Sequence, residues 1–211
     1  MNFDAYLFDM DGTLATNERL KGEALAKTCN ALGAEASSSL YKSVMGHSWE
    51  FVRQHFCDTY GISPTPEKFD TEFKVFYKNL LINDLESTAG ATKIIHSLKY
   101  ENKKLGLVSS AYRWMVDMTI ATLGFTDQFD VIISQENVKE HKPHPEAYLL
   151  ALKKLKTRAD RTLIFEDSES GIKAGINAGC HVVAIQHEFN VNQNLKMAAR
   201  IISSFDEFIL D

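Results

Sequence analysis

Cysteine is scarce in this chain: Cys29, Cys57 and Cys180 are three thiols in 211 residues, far apart and without a Cys-x-x-Cys pair. An odd, scattered set argues against a disulfide framework or a zinc site and for reduced thiols in a cytoplasmic setting. Long apolar runs are missing as well. None approaches the roughly 18 residues of a membrane span, so no membrane partner is expected. No basic stripe offsets the formal net charge of −5, which argues against nucleic acid and anionic membranes as partners and for a small molecule. The first residues lack a basic segment, and Asp4 and Asp9 stand where a secretory leader needs apolar side chains. Repeats and low-complexity segments are absent.

The composition that remains is that of a packed globular protein, 45% hydrophobic and 24% charged. Residues 3–8 read as a first strand, with Ala5-Tyr6-Leu7-Phe8 as an apolar run that stops at Asp9. Helical patterns then occupy 17–33, 37–45, 48–60 and 67–81, punctuated by Gly33, Gly46, Gly61, Pro64 and Pro66. Aromatic residues are dense there and predict the core of a small helical bundle. From residue 84 the pattern alternates. Helices at 90–101, 112–124, 144–156 and 168–178 separate strands at 105–108, 130–133, 162–165 and 181–185, with a last strand at 200–202. Such alternation implies right-handed crossovers and a mainly parallel sheet. The expected fold class is α/β, a Rossmann-like parallel sheet sandwiched by helices, with residues 15–83 inserted as an all-helical unit after the first strand.

In open α/β sheets, ligands bind beyond the carboxyl ends of the strands. There the first strand delivers Asp9 and Asp11, the second Ser109 and Ser110, and the fourth Glu166 and Asp167, while Lys142-Pro143 opens a helix near the same edge. Each has a plainer reading alone. The serines suit helix caps, Lys142 a solvated surface, and the acidic pair a helix's first turn. Their convergence from four segments suggests instead a metal-and-phosphate site, with acids for a hard cation and hydroxyls and an ammonium for phosphoryl oxygens. The remaining histidines, His55, His96, His181 and His187, have no spacing that suggests a metal site.

On these residues the chain resembles the haloacid dehalogenase superfamily, in the β-phosphoglucomutase-like subgroup with an α-helical cap. Asp9-Met10-Asp11-Gly12-Thr13 is similar to the first motif, Leu107-Val108-Ser109 to the second, Lys142-Pro143 to the third, and Glu166-Asp167-Ser168 with Gly171 to the fourth. The resemblance implies a catalytic core of residues 1–14 and 84–211 and a cap of residues 15–83. It implies that Asp9 is a nucleophile forming an aspartyl phosphate and that Asp11 is the acid and base. Mg²⁺ would be held by the Asp9 side chain, the Asp11 backbone carbonyl and Asp167, with Glu166 nearby or acting through water, and Ser109, Ser110 and Lys142 would hold phosphate.

The second aspartate, Asp11, separates the chain from dehalogenases, which need no acid for a departing halide. The implied activity is a Mg²⁺-dependent phosphatase acting on a small phosphorylated metabolite such as a sugar phosphate. A phosphomutase is the alternative, and a non-catalytic metal- or phosphometabolite-binding protein a further one. Mutases of the subgroup resemble one another in an arginine three positions after the cap glycine, where this chain has Gly46-His47-Ser48-Trp49. Arg53 or Lys21 remains as a substitute. His47, Lys21 and Trp49 are the expected substrate-selecting cap residues, although Trp49 also suits the bundle core. A monomer is expected.

Overall fold

The protein is described over residues 3–209 of a computed structural model. Among these residues the chain divides into two compact units, Asn17–Glu86 and the remainder on either side of it. The larger unit is built on six strands, β1 (Ala5–Phe8), β2 (Lys104–Val108), β3 (Val131–Ile133), β4 (Thr162–Glu166), β5 (His181–Ile185) and β6 (Arg200–Ile202). They form one sheet in the order β3-β2-β1-β4-β5-β6, with every neighbouring pair parallel. The chain's path reverses direction across the sheet at β1, so the gap beyond its carboxyl end is the topological switch point. Phe8 is in register with Leu107 of β2 and Phe165 of β4, which brings the residues after all three strands to one edge.

Both faces of the sheet are covered, which is why its strands are apolar runs rather than alternations. Ala5, Leu7, Val108, Ile164 and Val182 share one core with Ala147, Tyr148, Ala151 and Leu152 of α6 (Glu146–Leu155) and Ile172 and Ala174 of α7 (Glu169–Asn177). On the other face Phe8 stacks on Phe165 with ring centroids 5.1 Å apart, and Phe205 meets Phe165 edge-on at 5.0 Å. The expected strand at 130–133 begins one residue later, because Asp130 turns its carboxylate back to accept from Leu105 N at 2.8 Å. Lys142 and Pro143 do not open α6 either. They lie in the turn before it, and the peptide between them is cis.

The smaller unit contains α1 (Glu18–Ala31), α2 (Trp49–Tyr60) and α3 (Pro66–Asp84), and the next helices along the chain, in the larger unit, are α4 (Ala91–Tyr100) and α5 (Arg113–Thr122). Ser48 caps α2 by accepting from Phe51 N, and Thr65 caps α3 ahead of Pro66 at its first turn. Phe56, Phe69, Phe73 and Tyr77 are buried, as the aromatic density predicts. Asn17 Nδ2 donates to the Tyr77 hydroxyl at 3.0 Å. The helix expected at 37–45 is only a 3₁₀ segment, Ser38–Ser43. Its three consecutive serines are poor helix formers, and the Ser37 side chain accepts from Ser39 N, competing with regular backbone pairing. Among the described residues no helix is long and apolar enough to cross a membrane. Cys29, Cys57 and Cys180 are free and buried, and burial pushes the Cys29 and Cys180 thiols up to about 12.

Gly106 in β2 tests the tightness of this core. A Cβ there would lie 2.6 Å from Leu7 Cδ2 and 3.0 Å from Val131 Cγ1. Gly106→Ala is expected to lower stability by about 1–3 kcal/mol. In urea unfolding it should reduce the midpoint and leave the slope unchanged.

Candidate active site

The centre of the site is Lys142. Its Nζ lies 2.5 Å from Asp9 Oδ1 and 2.6 Å from Glu166 Oε1, and donates to the Val108 carbonyl at 3.1 Å. It also sits 5.1 Å from the centroid of the Tyr148 ring. Side-chain exposures of 6% for Lys142, 9% for Asp9 and 0% for Glu166 put this ion triad out of solvent. The ends of β1 and β4 supply its two carboxylates, β2 adds the Val108 carbonyl, and the turn before α6 supplies the lysine. A lysine that would ordinarily be solvated is here the bridge between two strands' carboxylates.

Glu166 is held on every side. Tyr148 OH donates to its Oε1 at 3.1 Å, and Ser168 N and Oγ donate to Oε2 at 2.9 and 3.0 Å. Gly171 makes room for it, since a Cβ at that position would lie 1.7 Å from Glu166 Oε1. The expected set of Mg²⁺ ligands includes Glu166, whereas this geometry ties both of its oxygens to the protein and makes it the anchor of Lys142. Ser168 caps α7 by accepting from Gly171 N.

Burial pushes the Asp9 carboxyl well above the ordinary carboxylate range. Lys142 opposes that rise, and the charges of Glu166, Asp167 and Asp11 add to it. Burial alone would lower the Lys142 ammonium, but Asp9 and Glu166 outweigh it, and its value stands well above that of an ordinary lysine. Burial is the first cause of the Asp9 rise, and the negative charge around the triad contributes to both shifts.

Asp167 is also buried. Its Oδ2 lies 2.9 Å from His187 Nε2, and its backbone carbonyl accepts from Asn190 Nδ2 at 2.8 Å. Asp11 is half-buried, in the turn closed by Gly12 with φ of 74°. Ser109 is buried and its Oγ accepts from Ala111 N at 3.0 Å in the loop before α5, whose N-cap Tyr112 makes no side-chain capping hydrogen bond, while Ser110 is exposed. The cap residues belong to the helical unit, where each has its own contact. Trp49 Nε1 donates to Asp70 Oδ1 at 2.9 Å, the His47 ring stacks on Phe51 at 4.4 Å, and Lys21 Nζ lies 5.9 Å from the centroid of the Tyr41 ring.

Sequence reasoning missed Tyr148 and His187. The rule that found Asp9, Ser109 and Glu166, reading just past each strand, applied to β5 leads to His187, two residues after Ile185. No comparable signal marks Tyr148, whose place in α6 looks like core.

Among the described residues no three His, Cys, Asp or Glu side chains already stand as a metal-ligand cluster. The donor set nevertheless fits a hard dication. Asp9, Asp11 and Asp167 offer only oxygen, and their mutual repulsion at Asp9 is what a divalent cation would relieve.

Residues 6–185 match the haloacid dehalogenase-like hydrolases, and the chain belongs to that family. It is 27% identical over 209 residues to the phosphorylated carbohydrates phosphatase of Thermotoga maritima, covering 99% of this chain and 97% of that one. Among solved structures, CbbY from Rhodobacter sphaeroides in complex with phosphate superposes with a TM-score of 0.89 at 25% identity, covering 97% of this chain and 96% of that chain. The β-phosphoglucomutase of Clostridium difficile does so with a TM-score of 0.80 at 25% identity, covering 99% and 94%. The protein is therefore a hydrolase of this family with its Rossmann-like fold.

Burial, with the surrounding negative charge, makes an ionised Asp9 costly to the fold. Because its carboxyl titrates above the unfolded value, its contribution to stability is full below pH ~4 and is lost as pH rises through the raised value. Asp9→Asn cannot ionise. In metal-free buffer its stability relative to wild type should therefore be greater at pH 8 than at pH 5. Urea midpoints at the two pH values check this, and a stability difference between the two proteins that does not change in that direction from pH 5 to pH 8 contradicts it.

Proposed function

We propose that this protein is a Mg²⁺-dependent phosphatase that hydrolyses a small phosphomonoester, such as a sugar phosphate, through a phosphoryl-aspartate on Asp9. The observation that carries the reading is the buried contact of Lys142 with Asp9 at the switch point of the sheet. An ammonium at that place neutralises charge where an anionic nucleophile must meet an anionic substrate. The whole-length similarity to a phosphatase of phosphorylated carbohydrates supports the substrate class.

In this mechanism Asp9 attacks phosphorus in line with the leaving oxygen. Asp11 gives that oxygen its proton, then takes one from the water that cleaves the acyl phosphate. Lys142 holds a phosphoryl oxygen while Glu166 and Tyr148 keep the ammonium in place. Ser109 and Ser110 add hydroxyl or backbone donors. Mg²⁺, held by Asp9, Asp11 and Asp167, would supply the positive charge that keeps Asp9 ionised and neutralises the transferring group.

Hydrolysis is favoured over mutase chemistry by the helical unit. A mutase must grip a second phosphate. The position three past Gly46 is Trp49, an indole bonded to Asp70. Arg53, the nearest replacement cation, donates to both Asp70 oxygens at 3.0 and 3.1 Å and is neutralised there. The free buried thiols agree with a cytoplasmic location, and the reading assigns a monomer.

Phosphate release from a panel of sugar phosphates, with and without Mg²⁺, tests the proposal. Turnover should cease with EDTA and return with Mg²⁺. Asp9→Asn should abolish it, and Lys142→Met should cost about 10²–10³ in kcat. Isomer formation from hexose 1-phosphates without phosphate release, or a fully active Asp9→Asn, overturns it.

A further inference from the structure

His187 comes from outside the four motif segments, yet it reaches the same edge. Its Nε2 is 2.9 Å from Asp167 Oδ2, and Phe189 N donates to its Nδ1 at 3.2 Å. A backbone N–H needs an acceptor, so Nδ1 carries the lone pair and the ring proton sits on Nε2, aimed at the carboxylate. One loop, Gln186 to Asn190, both presents the donor and selects its tautomer.

That loop is fastened to Asp167 itself. Asn190 is fully buried. Its Oδ1 accepts from His187 N at 2.9 Å, while its Nδ2 donates to the Asp167 and Ile185 carbonyls, each at 2.8 Å. The amide therefore holds the histidine's backbone and the aspartate's backbone in one frame, so the distance between the two side chains is set by β4 and β5. A Cβ on Gly12 would lie 2.3 Å from Asp167 Oδ2 and 2.7 Å from His187 Nε2. The pair thus presses against the turn just after Asp9-Met10-Asp11.

We propose that His187 is a positioning residue that fixes the Asp167 carboxylate for the divalent cation, with Asn190 as its strut. The proposal rests on the assignment of Asp167 to Mg²⁺ in the proposed function. A carboxylate held by an N–H donor loses less rotational freedom on binding a cation, and its orientation is set beforehand. Outer-shell partners of this kind are typically worth about 10–100-fold in metal affinity. The His187 side chain is 22% exposed, so replacing it leaves the core intact.

Calorimetric titration of Mg²⁺ alone into metal-free protein tests this on four forms: wild type, Asp167→Asn, His187→Leu and His187→Gln. His187→Leu is expected to bind Mg²⁺ about 10–100-fold more weakly than wild type. His187→Gln, whose amide N–H can occupy the place of Nε2, should stay within about threefold of wild type, with both melting midpoints in EDTA unchanged. Asp167→Asn should lose most of the affinity. If His187→Leu binds Mg²⁺ as wild type does while Asp167→Asn fails, the positioning role is wrong and the Asp167 assignment stands. If leucine and glutamine weaken binding equally and lower the metal-free melting midpoint, His187 merely holds the loop and the proposal is overturned. If wild type takes up no Mg²⁺, or Asp167→Asn binds it as well as wild type does, both the proposal and the Asp167 assignment fall.

Discussion

A buried ammonium between two buried carboxylates is the constraint on which the rest of this site depends. Desolvating three charges is expensive and is offset only by close contacts and by hydrogen bonds to the remaining donors and acceptors. Lys142 has Asp9, Glu166 and the Val108 carbonyl, and Glu166 has Tyr148 and Ser168 besides. The surrounding fold is arranged around that requirement. Strand register brings the three strand ends level, Gly171 clears space for the Glu166 carboxylate, and the turn before α6 brings Lys142 back to the sheet edge. Removing either carboxylate would leave the other to hold the lysine alone, and the two acids are not equivalent in what else holds them. Glu166 is the fixed anchor, and in the proposed reaction Asp9 is the partner that reacts.

The triad does not neutralise the site. Asp11 and Asp167 add negative charge around one ammonium, and this adds to the rise that burial imposes on Asp9. A protein that only needed a stable core would replace these acids with apolar side chains. The fold instead retains these acids, Asp9, Glu166 and Asp167 all buried, at the switch point of the sheet. In the proposed reaction positive charge comes from Mg²⁺, and the anionic phosphoryl group arrives into a site already prepared for it.

Much of this was legible in the sequence. Strands and helices of the larger unit fall within a few residues of their apolar patterns, because fully buried parallel strands and amphipathic helices leave strong periodic signals. Asp9, Glu166 and Lys142 were found by reading the residues just beyond the strand ends and before the next helix, and the structure brings them into contact. Other features depended on local competition that periodicity does not carry. Ser37 turned the 37–45 segment into a short 3₁₀ piece, and Asp130 left its strand to cap Leu105 N. The division of labour between Glu166 and Asp167 could not be read from adjacent acids in a row. It is decided by tertiary partners, Tyr148 for one and His187 for the other, which lie 18 and 20 residues away in sequence. Trp49 and Arg53 likewise converge on Asp70 through contacts between α2 and α3 that no spacing announces.

The central claim is that Asp9 is the atom donor to phosphorus. Rapid acid quench of wild type turning over a ³²P-labelled phosphomonoester in Mg²⁺, with peptide mapping of the quenched protein, tests it most directly. The account predicts an acid-stable, hydroxylamine-sensitive label on the peptide that contains Asp9, absent from Asp9→Asn and from protein quenched before substrate is added. Turnover without any label on the chain, or a label mapped to another residue, contradicts it.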